Sequence, residues 1–279
     1  MADLIQLLQT TLAQREPGLA NDVQRILLKE ALQTLVLDYI YNHTLYRRLN
    51  FYGGTCLRVV YQLNRLSEDI DLDNSAQIDL SRLEDDLIQL FSRMQPGIGI
   101  TAHQQRGEND VLRTILRFPI LFSLGLSAHR DENLHLKVEI SHHRQVSVLQ
   151  RTPVLTFSRA FVPVHFSLET MMAGKMIACL ERSFFVGQEK AIKGRDYYDL
   201  LWFMQQRITP LEDKLAKDGK QVYDKRSAFE SLRDQISQIT RRQLAQGLLP
   251  LFENRAFIDA WLDAFHENFE RFSQFYFDK

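Results

Sequence analysis

The stretch "DIDLD" at residues 69–73 sets Asp69 and Asp71 two apart in a run that alternates acid and aliphatic. On a strand, such a run turns both acids to one face and Ile70 and Leu72 to the other. Paired carboxylates repel in water, and a core gives them nothing in return. A divalent cation does, because hard cations take converging oxygen ligands. A solvated strand edge is the competing reading of an isolated pair. Upstream, a short apolar run ends at Gly53-Gly54, followed by Thr55 and one helical stretch. Glycines let backbone N–H groups approach a phosphate, and a helix N-terminus adds its dipole. A lone Gly-Gly is usually only a turn. The ordered combination implies a phosphate cradle and a metal site joined by one helix, as a magnesium-bound nucleoside triphosphate requires. In "LHLKVEI" at 134–140, His135, Lys137 and Glu139 share a face opposite Leu134, Leu136, Val138 and Ile140, so Glu139 is the candidate third carboxylate.

These residues need elements to hold them. Three- and four-residue apolar spacing predicts helices over 3–14, 20–43 and 80–94. Residues 49–52 form a short strand, with Thr55 as N-cap of a helix from Cys56 to about Leu63. Strands are expected at 98–104, 111–118 and 134–140. After Pro163 the strand signal fades, and helices are expected over 167–182, 196–206, 224–246 and 256–275. This divides the chain into a mixed sheet domain, 1–165, and a helical domain, 166–279.

Bulk properties narrow the class. The chain has 279 residues, 45% hydrophobic and 25% charged, with net charge −1. That is an ordinary globular composition without a global basic field for nucleic acid. Two cysteines, Cys56 and Cys179, exclude a disulfide framework or a cysteine-rich zinc site. No stretch approaches the roughly 18 uncharged apolar residues of a membrane span, and no signal peptide is visible. The expected location is the cytoplasm.

The run "GGTCLRVVYQLNRLSEDIDLD" resembles the signature of the minimal nucleotidyltransferase superfamily, which has the DNA polymerase beta catalytic fold. Its form, Gly-Gly-Thr-x-Leu then Arg-x-Ser-x-Asp-Ile-Asp-Leu, is similar to the AbiEii/AbiGii toxin family, which includes the mycobacterial MenT toxins. "ETMMAGKMIACLERS" and "KGRDYYDLLWF" resemble two further family motifs, so the likeness spans about residues 49–206. It implies an α+β fold and a catalytic set of Asp69, Asp71, Lys175 and Asp196. Asp69 and Asp71 would hold Mg2+, or Mn2+ in its place, with Glu139 as third ligand. Gly53, Gly54 and Thr55 would cradle the triphosphate. Lys175 would be a cation on the phosphates; read alone it is a snorkelling surface lysine. Asp196 matches a required family residue, and read alone is a helix N-terminal acid favoured by the dipole.

Arg65 either neutralises triphosphate charge or closes its loop with an acid such as Glu68. Ser67 joins the nucleotide-binding set. It matches the context of a serine that kinase-like antitoxins phosphorylate in the MenT branch, and a phosphate there would repel the nucleotide. Arg113 and Arg117 are cleft candidates. His142-His143 makes a poor chelate, since neighbours on a strand face opposite ways. Aromatics at 261, 265, 269, 272 and 276 either pack a core or stack bases. Arg226, Arg233, Arg241 and Arg242 form either a solvated helix face or a phosphate-contacting one.

The resemblance implies a toxin that transfers a nucleoside monophosphate from a nucleoside triphosphate to RNA, expected at the tRNA 3′ end. Translation would be blocked, in a toxin–antitoxin or phage-defence setting with an antitoxin encoded nearby and no membrane partner. Two rivals stand beside this: transfer to a protein hydroxyl, and a nucleotide-binding module without turnover.

Overall fold

The computed structural model describes residues 3–107, 110–182, 184–186 and 189–277. The chain forms two compact units. The first comprises Met1–Arg144 and Gln150–His165, and the second Gln145–Leu149 and Phe166–Lys279.

In the first unit, α1 (Leu4–Ala13) and α2 (Asn21–Asn42) precede β1 (Asn50–Tyr52), α3 (Gly53–Tyr61) and β2 (Asp69–Asp73). Then come α4 (Leu83–Met94), β3 (Thr101–Arg106), β4 (Val111–Phe118) and β5 (Leu134–Ser141). Four three-residue strands follow: β6 (Leu149–Arg151), β7 (Val154–Thr156), β8 (Arg159–Phe161) and β9 (Val164–Phe166). The mixed seven-stranded sheet runs β3-β4-β5-β2-β1-β9-β6. β2 is central, parallel to β5 and antiparallel to β1.

The alternation read from the sequence sets the packing. Leu134, Leu136, Val138 and Ile140 are buried, as are Ile70 and Leu72. α2 packs against β5 and β8 and is buried over most of its length. Burying each large aliphatic side chain contributes about 1.5–3 kcal/mol, so this face fixes the strand register. A slip of one residue would turn Asp69 and Asp71 into the core.

The second unit is mainly helical: α5 (Leu168–Glu181), α6 (Gly194–Gln205), α7 (Glu212–Asp218), α8 (Lys225–Ile236), α9 (Arg241–Leu248), α10 (Arg255–Asp263) and α11 (Phe265–Phe277). A hairpin of β10 (Phe184–Val186) and β11 (Glu189–Ala191) lies between α5 and α6. The expected helix over 224–246 is two helices. Thr240 caps α9 and makes a capping box with Gln243. The expected helix over 256–275 is also two, meeting at Ala264. α7 and the strands between 149 and 166 were not anticipated. Met172, Met176, Phe203, Phe229, Phe265 and Phe269 build the core of this unit.

Candidate active site

In the first unit, β2 carries Asp69 and Asp71, and α3 begins directly after β1, the neighbouring strand. Tyr52 pairs with Asp71 across the β1–β2 ladder, and Asp71 pairs with Glu139 across β2–β5. Paired residues project to the same face, so Asp71 and Glu139 sit side by side there, as do Asp69 and Lys137.

Gly53 stands in the left-handed region at φ +79°, and a Cβ there would strike the Asp71 carboxylate. A Cβ on Gly54 would come within 2.7 Å of the Arg65 guanidinium and 3.0 Å of Ser67 Oγ. The two glycines therefore let the start of α3 lie flat against the acidic strand and its approach. The helix starts at Gly53 itself, which corrects the expectation that Thr55 caps it. Thr55 lies inside the first turn with no exposed surface. Its hydroxyl donates to the Asp69 carbonyl and lies 2.9 Å from Ser67 Oγ. That hydroxyl ties helix to strand within the chain.

Arg65 is buried and donates to the Leu66 carbonyl at 2.9 Å. Glu68, offered as its partner, lies 3.2 Å from Lys29. Ser67 is buried too, and β2 begins only at Asp69, so the strand geometry does not extend back to it.

Basic groups flank the acids. Lys137 Nζ is 3.3 Å from Asp69 Oδ1, and Arg113 Nε donates to Glu139 Oε1 at 2.6 Å. Glu139 is thus engaged by Arg113, directly opposite it in the β4–β5 ladder. Among the described residues, no group of three or more His, Cys, Asp or Glu side chains converges as a metal site. Asp69 and Asp71 nevertheless fit magnesium, which is usually held by one or two carboxylates together with substrate phosphates and water. Asp73 continues the alternation but is an anchor: its Oδ2 accepts from Asn50 at 2.9 Å and from the Ser75 N–H at 3.2 Å.

The second unit holds Lys175 on α5 and Asp196 in the first turn of α6. Lys175 Nζ lies 2.8 Å from Asp196 Oδ1 and 2.9 Å from Asp199 Oδ2. Arg182 Nη1 meets Asp196 Oδ2 at 2.5 Å. Asp199 is fully buried and Asp196 nearly so. Burial pushes the Asp196 carboxyl up, but the charges of Lys175 and Arg182 outweigh it and hold the pKa at about 2. Lys175 is therefore clamped between two acids, in contrast to the snorkelling alternative. Asp199 and Arg182 were missed in the sequence. The "RDYYD" spacing places Asp196 and Asp199 three apart, one helical turn, and that was the available signal. Ser183, last residue of the quoted α5 motif, lies outside the described residues.

The chain resembles JHP933 from Helicobacter pylori at 19% identity, over 90% of each chain, with a TM-score of 0.48. A second solved H. pylori chain matches at 19% identity, covering 89% of this chain and 91% of that one, with a TM-score of 0.45. No curated protein matches. Residues 35–278 match the family described as "Nucleotidyl transferase AbiEii toxin, Type IV TA system". The resemblance read from the motifs is thereby borne out, and the chain belongs to the AbiEii family of nucleotidyl transferase toxins of type IV toxin–antitoxin systems.

Proposed function

We propose that the chain transfers a nucleoside monophosphate from a nucleoside triphosphate to an RNA hydroxyl, with the tRNA 3′ end as the expected acceptor. The observation that carries this is the Asp69–Asp71 pair lying against the glycine-started helix, since Gly53 leaves room for the Asp71 carboxylate. The acceptor oxygen attacks the α-phosphorus, the bond to the bridging oxygen of the β-phosphate breaks, and pyrophosphate leaves. Asp71 takes the acceptor proton; Glu139 is the weaker candidate because Arg113 already holds it. Asp69 and Asp71 would hold Mg2+, or Mn2+ in its place, which would neutralise the phosphate charge.

Gly53 and Gly54 offer backbone N–H groups to the phosphates. Thr55, Arg65 and Ser67 brace that turn. Lys175, whose ammonium Asp196 and Asp199 fix, is the cation that the family resemblance assigns to the phosphates. Blocked translation, in a toxin–antitoxin or phage-defence setting, is the biological consequence of this reading.

Incubation with each α-labelled triphosphate, magnesium and total RNA tests it. Label in RNA that disappears with chelator is the expected result. Label in protein alone, or none, would refute it.

A further inference from the structure

We infer that a pocket between the end of α6 and the face of α11 is a stacking site for single-stranded RNA. It encloses about 410 Å3, within the usual range for ligand pockets, about 300–1,000 Å3. Met204, Gln205, Arg207, Phe272, Gln274 and Phe275 line it, with Arg271. The Arg207 guanidinium lies 5.6 Å from the Phe275 ring centroid, and that of Arg271 lies 4.7 Å from Phe272. Unstacked bases are held on aromatic rings and on guanidinium planes, and amide side chains serve their edges.

Charge sets this pocket apart from most of the arginine-bearing helical surface. Arg226, Arg233, Arg241 and Arg255 are each paired with a carboxylate, at 3.0, 3.3, 2.6 and 2.9 Å. Three of the four arginines of the helix face read from the sequence, Arg226, Arg233 and Arg241, are thus neutralised, while Arg242 is not among these pairs. Among the described residues, neither Arg207 nor Arg271 meets a carboxylate; Arg271 donates to the Asn268 amide oxygen at 2.7 Å. Among the described residues no acid lines the pocket, so its positive charge remains available to a phosphate chain.

Arg207 also holds the left-handed conformation just past α6, at φ 57°. Glycine would take that position without steric cost. Of the aromatic stripe of the tail, Phe265, Phe269 and Tyr276 are buried in the core, whereas Phe272 lines the pocket beside Phe275.

The inference rests on the RNA-acceptor half of the proposed function. It is tested by binding alone, without triphosphate, so failed transfer chemistry leaves it readable. The probe is a fluorescein-labelled oligouridylate of roughly twelve nucleotides, within the span of single-strand sites. Arg207→Gly should keep or raise the thermal midpoint while weakening RNA binding at least about fivefold, the loss of one stacked base. Phe272→Leu, which stays apolar and keeps most of the packing volume, should weaken it similarly. Binding unchanged in both variants, or a wild-type chain that does not bind, overturns the inference. Equal weakening toward a duplex of the same length would indicate phosphate attraction without stacking and overturn it as well. Unchanged RNA binding together with lost crosslinking to a protein would assign the pocket to that protein instead.

Discussion

Replacing Lys175 with Met should destabilise the helical unit as well as stop transfer. Its ammonium lies 2.8 and 2.9 Å from two acids whose side chains are 5% and 0% exposed. Arg182 reaches Asp196 but is 44% exposed itself. Lys175→Met thus leaves the fully buried Asp199 carboxylate without that counter-charge. Removing one partner of a buried ion pair costs about 3–5 kcal/mol, a large share of a typical 5–15 kcal/mol. The paired change Lys175→Met with Asp199→Asn removes both charges and should recover at least about 1 kcal/mol, because residues in contact are not additive. Urea denaturation at neutral pH reads the stability, and label transfer to RNA reads the activity. Both variants should be inactive, and only the single one badly destabilised. A Lys175→Met chain as stable as wild type would refute the clamp. A paired variant that regained transfer would refute the role of Lys175 in the chemistry.

Asp196 predicts a pH effect. Its folded pKa, about 2, lies below its ordinary 3.8, so it contributes stability above about pH 4 that is lost as pH falls through 2. At about 1.4 kcal/mol per pH unit the contribution is on the order of 2 kcal/mol, and Asp196→Asn should flatten the urea midpoint between pH 5 and 2. Gly53→Ala should abolish transfer and lower stability by about 1–3 kcal/mol, since it forces an unfavourable φ and displaces Asp71; wild-type activity would refute the close approach. Ser67→Glu should inhibit transfer, because Ser67 is buried against Gly54 and Thr55. Ser67→Ala should retain substantial activity, and an active Ser67→Glu chain would place the residue away from the nucleotide.

Local periodicity made much of this architecture legible. The alternation of β2 and β5 gave the correct buried faces because one side of each strand packs in the core. The motifs likewise led to the right family, since each is a short local run, at 53–73, 169–183 and 193–203. The start of α3 was misplaced because a glycine pair reads as a turn, while the positive φ of Gly53 in fact launches the helix. The four strands between 149 and 166 are three residues each, too short for a period to emerge. The Thr240–Gln243 capping box was readable, but the apolar repeat of 224–246 runs across it. The Lys175 clamp joins residues 21 apart in sequence, and the Arg113–Glu139 pair joins residues 26 apart. Only the assembled fold brings such partners together.

The central claim is that Asp69 and Asp71 are the acids of the transfer reaction. Single-turnover transfer from an α-labelled triphosphate to RNA, across a magnesium titration, tests it most directly with wild type, Asp69→Ala and Asp71→Ala. The account predicts magnesium-dependent label in RNA for wild type and none for either variant. Both variants should remain folded, because each change relieves repulsion between the carboxylates. Full transfer by either variant, with magnesium still required, would contradict it.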